Sequence, residues 1–305
     1  KQFGKSIHSF GAIQAKLANM IVRTFASESA CYRAGQNIDE SIASLLASGL
    51  PEAEAKLKGV EQFAIECAIL KVHGSEVLDY VADEGVQIYG GMGFSAEAPM
   101  ERSYRDSRIN RIFEGTNEIN RLLAVGTVLK RAMKGEIDLM PAAMAVGKEI
   151  LGVPDFSTDV PEGVFGKEYK VIANAKKAIL MTAGAAIQKY TTEIEHQQEI
   201  LMGISDMMIE VYVAESALCR VDKLIQRDGE EKYQIARECA LVYLHEAMDK
   251  IANAGKEVIM GFAKGDELNV LLLGLKRFTK IDAKNLIEAR RQIAQAAIIK
   301  NGYIF

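Results

Sequence analysis

At 305 residues, 49% hydrophobic and 26% charged, the chain has the balance of a soluble globular protein and enough length to bury one large core or two smaller ones. A net charge of −4 gives no electrostatic footprint for nucleic acid, and no apolar run reaches the roughly 18 residues of a membrane-spanning helix. No secretory leader is visible, so the expected setting is reducing and cytoplasmic; five prolines, 7% aromatics and an abundance of Ala, Leu, Ile, Lys and Glu favour an all-α fold.

In chain order, Ile13, Leu17, Met20, Ile21 and Thr24 share one face of a helix expected from about residue 10 past residue 34. His8, alone near its start, reads as a surface or capping residue. A more polar connection over 36–54 holds a short helical piece at 38–47 that stops at Gly49, and Pro51 suits the first turn of the next helix. A long helix then buries Phe63, Cys67, Leu70, Gly74, Val77, Leu78 and Val81. His73, near that stripe, reads as a satisfied packing residue.

Residues 87–121, QIYGGMGFSAEAPMERSYRDSRINRIFEGTNEINR, form the window richest in special-purpose residues. Gly90, Gly91 and Gly93 end the preceding helix, because such a cluster permits positive φ and lets backbone approach a ligand closely. Ile119, Leu122, Leu123, Val125 and Leu129 resume helical spacing, with Thr116 as N-cap and Glu118 in the first turn, where a carboxylate suits the helix dipole. Glu114 therefore stands on the turn before a helix, beside amide N–H groups that await partners. The residues alone leave two readings open: a carboxylate that satisfies a helix start, or one placed to act on a bound molecule. Arg102, Arg105, Arg108 and Arg111 recur every third residue among Glu101 and Asp106. An ion-pair network holding the loop is the expectation, since arginine forks make two-point contacts to carboxylates; contact with a ligand phosphate is the alternative.

After Lys134 the pattern weakens. Pro141, Gly147 and the stretch GVPDFSTDVPEGVFG define an expected linker at 135–166 between a first domain at 1–134 and a second helical domain at 167–305. Helical spacing in that second domain covers about 167–201, 204–227, 230–262 and 281–300. Cys31, Cys67, Cys219 and Cys239 lack metal-ligand spacing and read as buried or half-buried thiols. His196 and His245 complete no metal or nucleophile pattern, and the methionines here read as core filling. Membrane association stays open but unsupported, because the basic residues are not concentrated on one helix face.

The segment QIYGGMG, followed by YRD and IFEGTNEINR, resembles the C-terminal helical domain of the acyl-CoA dehydrogenases. KQFGKSIHSFGAIQAKLANM resembles that domain's opening helix, and the two matches keep the family's order over roughly residues 1–133. The resemblance implies a C-terminal four-helix bundle of up-and-down arrangement, followed here by a second helical domain as in the extended, very-long-chain type. For that second half the resemblance is architectural, with no motif matched residue by residue. It also implies that the chain opens within a longer polypeptide, lacking an N-terminal helical domain and a β-domain that supply most of the flavin contacts.

The activity so implied is FAD-dependent α,β-dehydrogenation of fatty acyl-CoA thioesters to trans-2-enoyl-CoA in fatty acid β-oxidation, with the isolated chain inactive. Glu114 would be the catalytic base, and Phe113 and Gly115 would line the acyl thioester. Thr116 and Glu118 would contact the FAD of the same subunit. Phe3, Phe10, Gln87, Gly90 and Gly91 would reach that of a neighbour, which implies a homodimer or tetramer. Gly11 departs from the family, which often places a glutamine there. An electron-transferring flavoprotein would be the redox partner. The competing expectation is a non-catalytic helical assembly or interaction module derived from the same family.

Overall fold

The computed structural model describes residues 2–152 and 161–305. Eleven α-helices and short 3-10 turns account for the ordered elements among them, as the composition and periodicity predict. The first helix, α1 (Gly11–Ala47), runs unbroken through Gly35, where a helix from about residue 10 past 34 and a separate piece at 38–47 were expected. An internal glycine costs about 1 kcal/mol of helix propensity. The buried stripe Ala18, Val22, Phe25, Ala26, Ala30 and Ala34 outweighs that.

Pro51 then caps α2 (Glu52–Gln62), and α3 (Ala64–Tyr89) ends at Gly90, whose φ of 62° only glycine adopts without strain. A 3-10 turn at Gly90–Phe94, α4 (Pro99–Arg108) and α5 (Asn117–Met133) complete the expected first bundle. Antiparallel packing is evident from cross-pairs: Lys16 with Glu84 joins the start of α1 to the end of α3, and Arg131 donates to the carbonyls of Glu61 and Gln62, joining the end of α5 to the end of α2, just before α3 begins.

Residues 135–166, expected as a linker, contain a further helix, α6 (Leu139–Leu151), which lies on α7 (Gly166–Tyr190). The contact is close enough that a Cβ on Gly184 would sit 2.7 Å from the Ala143 Cβ. Residues 153–160 of that stretch lie outside the described residues. The helix pattern at 167–201 instead ends at Tyr190, where Thr191 turns to φ 49°. It restarts as α8 (Gln198–Asp228), which runs through Gly203 without a break. Next come α9 (Gln234–Phe262), α10 (Gly265–Phe278) and α11 (Leu286–Lys300).

One hydrophobic core joins both halves of the chain. Met207 and Leu218 on α8 and Leu244, Met248, Ile251 and Ile259 on α9 are fully buried in it, together with Val22, Phe25 and Ala26 of α1. α8 packs antiparallel to α9 and also against α1, α3 and α5. The final residues close over α1: Tyr303 donates to Glu28 at 2.6 Å, and the Phe305 ring lies 4.5 Å from that of Phe25.

Three side-chain readings change. The buried face of α3 is displaced from the expected stripe: packing on α1 and α5 buries Ala68, Ile69, Val72 and Ala82, leaving Phe63, Leu70, Gly74, Val77 and Val81 half-buried and Leu78 exposed. Cys31 and Cys67 are exposed, whereas Cys239 is buried and Cys219 half-buried, because the first two lie beside the buried stripes of α1 and α3 instead of within them. His73 is buried at 6% exposure but only half satisfied. Its Nε2 lies 2.8 Å from the Tyr243 hydroxyl, which donates to Glu210 at 2.9 Å, while Nδ1 has no partner. Because Tyr243 spends its one proton on Glu210, Nε2 must be the protonated nitrogen of His73, leaving Nδ1 as a lone acceptor. Desolvation, then the nearby charges of Lys250 and Arg23, hold this imidazole neutral by lowering its pKa to about 3.

Candidate active site

The turn before α5 contains two successive left-handed residues, Glu114 at φ 57° and Gly115 at φ 79°. For a residue with a Cβ that conformation costs on the order of 1–2 kcal/mol, so its surroundings must impose it. Three polar side chains do so. Asn120 Nδ2 donates to the carbonyls of Gly115 at 2.9 Å and Thr116 at 3.1 Å, with that of Glu114 at 3.5 Å. Lys71, reaching across from α3, donates to the Gly115 carbonyl and to Asn117 Oδ1. Asn117, only 2% exposed, exchanges hydrogen bonds with Ser75 and donates to Glu76. Gly115 is required by this packing alone, since a Cβ there would stand 3.0 Å from Asn120 Nδ2 at a positive φ.

Residue 114 itself is left free. Its side chain is exposed, and among the described residues neither its carboxylate nor its backbone N–H has a hydrogen-bond partner. Phe113 beside it is 45% exposed, so an apolar ring flanks the carboxylate. Thr116 caps α5 by accepting from the Ile119 N–H at 3.3 Å. The Glu118 carboxyl is held below its ordinary pKa, first by its own backbone N–H and then by the Thr116 hydroxyl.

Behind the turn stands Arg121. It forms a two-point contact with Glu76, at 2.8 and 3.1 Å, and donates from Nε to Asp206 on α8 at 2.7 Å. Burial works against the guanidinium charge, yet the bonds to Glu76 and Asp206 hold its pKa above the ordinary value. Burial raises the Asp206 carboxyl, and Arg121 offsets part of that rise. These groups line a cavity of about 410 Å³ shared with His73, Glu210, Tyr243 and Lys250.

The second group of expected contacts lies elsewhere. Gln87, Gly90 and Gly91 sit at the far end of α3, with nothing within 4 Å of where a Cβ on either glycine would be, so that backbone is open to close approach. Phe3, 92% exposed, meets Phe10 edge to face at 6.3 Å near the start of α1. The Lys16 to Glu84 pair keeps those two ends together. From Ser75, which holds Asn117, to Gln87 the axis of α3 rises about 18 Å. Within one chain, therefore, Phe113, Glu114, Gly115, Thr116 and Glu118 gather in one place, and Phe3, Phe10, Gln87, Gly90 and Gly91 in another.

The arginine series divides instead of forming one network. Arg105 pairs with Glu101 one turn away at 3.1 Å, and Arg111 with Asp79 of α3 at 3.2 Å. Arg102 and Arg108 are exposed without an ion pair among the described residues. A three-residue spacing points them to different sides of α4, out of reach of a shared carboxylate. Sequence reasoning missed Lys71, Ser75, Asn117, Asn120, Arg121 and Asp206. The two asparagines within the first turn of an otherwise apolar stripe were the available signal; Asp206, on a distant helix, gave none.

Two family models match this chain, both described as "Acyl-CoA dehydrogenase, C-terminal domain", one over residues 1–129 and the other over 174–277. A probable acyl-CoA dehydrogenase of Bacillus subtilis is 40% identical over 294 residues, which cover 96% of this chain and 49% of the relative. The human mitochondrial very long-chain specific acyl-CoA dehydrogenase is 37% identical over 183 residues, 60% of this chain and 22% of the relative. The crystal structure of an acyl-CoA dehydrogenase complexed with FAD, from Bacillus anthracis, superposes over 100% of this chain and 51% of its own with a TM-score of 0.94 at 40% identity. The chain thus spans about half the length, or less, of the relatives it matches.

Proposed function

The chain belongs to the acyl-CoA dehydrogenase family, and from that premise we propose that it serves as the C-terminal part of an FAD-dependent enzyme that desaturates fatty acyl-CoA thioesters to trans-2-enoyl-CoA. The observation that carries the reading is residue 114: an unpartnered carboxylate and an unpartnered backbone N–H on one residue, held in a strained turn by buried amides. Strain of that kind is retained where geometry serves a ligand.

An acyl-CoA thioester has a weakly acidic α-carbon, and its proton can be removed if the developing enolate oxygen meets a fixed donor in a site that excludes water. Glu114 takes that proton, and the residue 114 N–H faces the thioester oxygen. Phe113 lends the pocket an apolar wall. The cofactor's share fits the residues present: the open backbone of Gly90 and Gly91 admits a flat group closely, and the capped start of α5 offers Thr116 and Glu118. FAD, when bound, supplies the acceptor for the hydride that leaves the β-carbon. The separation of the two residue groups along α3, whose axis rises about 18 Å from Ser75 to Gln87, favours a site shared across a homodimer or tetramer, with an electron-transferring flavoprotein as the onward acceptor.

The test is Glu114→Gln in the polypeptide that joins this chain to a flavin-binding portion. Glutamine keeps the size and the backbone N–H, so flavin content and acyl-CoA affinity should stay within about twofold. Loss of a general base costs about 10²- to 10⁴-fold, so anaerobic flavin bleaching by substrate should collapse. Bleaching at the wild-type rate would remove Glu114 from the reaction. A wild-type protein that binds neither flavin nor acyl-CoA would favour the non-catalytic assembly module.

A further inference from the structure

We infer that Asp206, on α8 in the second half of the chain, is a positioning residue for Glu114. The inference rests on the reading of Glu114 as the base and extends it to a helix that touches no substrate. The connection is a continuous run of polar contacts. Asp206 accepts from Arg121 Nε at 2.7 Å; the two remaining nitrogens of Arg121 grip both oxygens of Glu76. Glu76 accepts from Asn117 Nδ2 at 3.2 Å, which presents Asn117 Oδ1 to Lys71 at 2.8 Å. Lys71 in turn binds the carbonyl of Gly115, the residue after Glu114.

The geometry makes Asp206 the outer clamp of this run. Arg121 has only 14% of its side chain exposed, whereas that of Asp206 is 44% exposed on the rim of the cavity. Removing the aspartate leaves the cavity wall standing but frees one edge of the guanidinium. Arg121 is then fixed only through Glu76, the acceptor that also orients Asn117. A turn of Arg121 toward solvent would draw Glu76 with it and loosen Asn117 and Lys71, the holders of the strained peptide. The second half of the chain would then set the aim of the base while contributing no atom to the reaction.

Asp206→Ala, with Asp206→Asn as a variant of unchanged size and Asp206→Glu as the conservative rescue, tests this in two ways. In the 305-residue chain, amide hydrogen exchange at residues 113–120 should rise about tenfold in the alanine variant, with α8 and α9 unchanged, and return toward wild type in the glutamate variant. In the holoenzyme, kcat for flavin reduction should fall about tenfold with KM within twofold, because small misplacements of a reacting group act on the chemical step. Wild-type exchange and kcat in both the alanine and asparagine variants would overturn the inference, as would exchange that rises evenly along the chain. If the wild-type holoenzyme shows no substrate bleaching, the dehydrogenase reading fails, and the exchange measurement still decides whether Asp206 holds the turn.

Discussion

Glu114 and His73 show how differently two functional-looking residues declare themselves. Glu114 stood out because the glycine before a helix N-cap marks a turn, and the motif around it resembles a known family. Its left-handed φ was invisible, and so were Lys71 and Ser75, which come from another helix to hold the turn and its asparagines. His73 read as a plain packing residue because its partner, Tyr243, lies 170 residues away in sequence. Its burial has a consequence in acid. The folded pKa, about 3, is below the ordinary 6.5, so the unfolded chain takes up the proton first. The stability due to a neutral His73 is complete above about pH 6.5 and is lost as pH falls toward 3, at about 1.4 kcal/mol per pH unit. His73→Gln keeps a donor for Tyr243 and removes the titration. In urea melts at pH 7, 5.5 and 4.5, the wild type should therefore lose stability faster than the variant below pH 6.5. Parallel losses would show that His73 takes up its proton within the fold.

At the scale of elements, the glycines misled about where helices stop, and the apolar stripes located helices but not always their buried face: α3 buries Ala68, Ile69 and Val72, while Leu78 of its expected stripe is exposed. Gly35 and Gly203 each coincided with a break in the periodic reading, yet α1 and α8 pass straight through them. Gly203 is there for another reason: a Cβ would lie 2.4 Å from Val258 Cγ2, so the residue lets α8 and α9 approach. Spacing along one helix cannot reveal a close contact with another. Val258 is β-branched and 3% exposed, and cannot swing aside. Gly203→Ala should cost about 1–3 kcal/mol in overpacking, only partly offset by about 1 kcal/mol of helix propensity. In a Val258→Ala background the same change should become stabilising. Thermal melts of the four proteins give the sign, and a loss of equal size in both backgrounds would exclude the steric account. The helix α6 escaped notice because Pro141 and Gly147 masked its period, although Pro141 lies in its first turn, where proline is tolerated.

For the molecule as a whole, the all-helical class and the first bundle were legible, because composition and long amphipathic stripes bear on them directly. The degree to which the halves merge was not, since the apolar face of α1 says nothing about whether α3 or α8 covers it. With one core running through α1, α5, α8 and α9, the chain should unfold in one step. Far-UV and near-UV circular dichroism should lose signal at one temperature; two separated transitions would show that 1–134 and 167–305 are independent. The division of the expected cofactor contacts between two ends of α3 leads to a further expectation. The 305-residue chain alone should purify colourless, and a yellow protein with one flavin per chain would show that it holds a complete site. The closure of Tyr303 and Phe305 over Glu28 and Phe25 also bears on synthesis at the ribosome. Phe305 follows Phe25 by 280 residues (305 − 25), so at about 5–20 residues per second the nascent α1 waits roughly 15–60 s for this cover. During that interval its apolar stripe is open to chaperones and to neighbouring nascent chains.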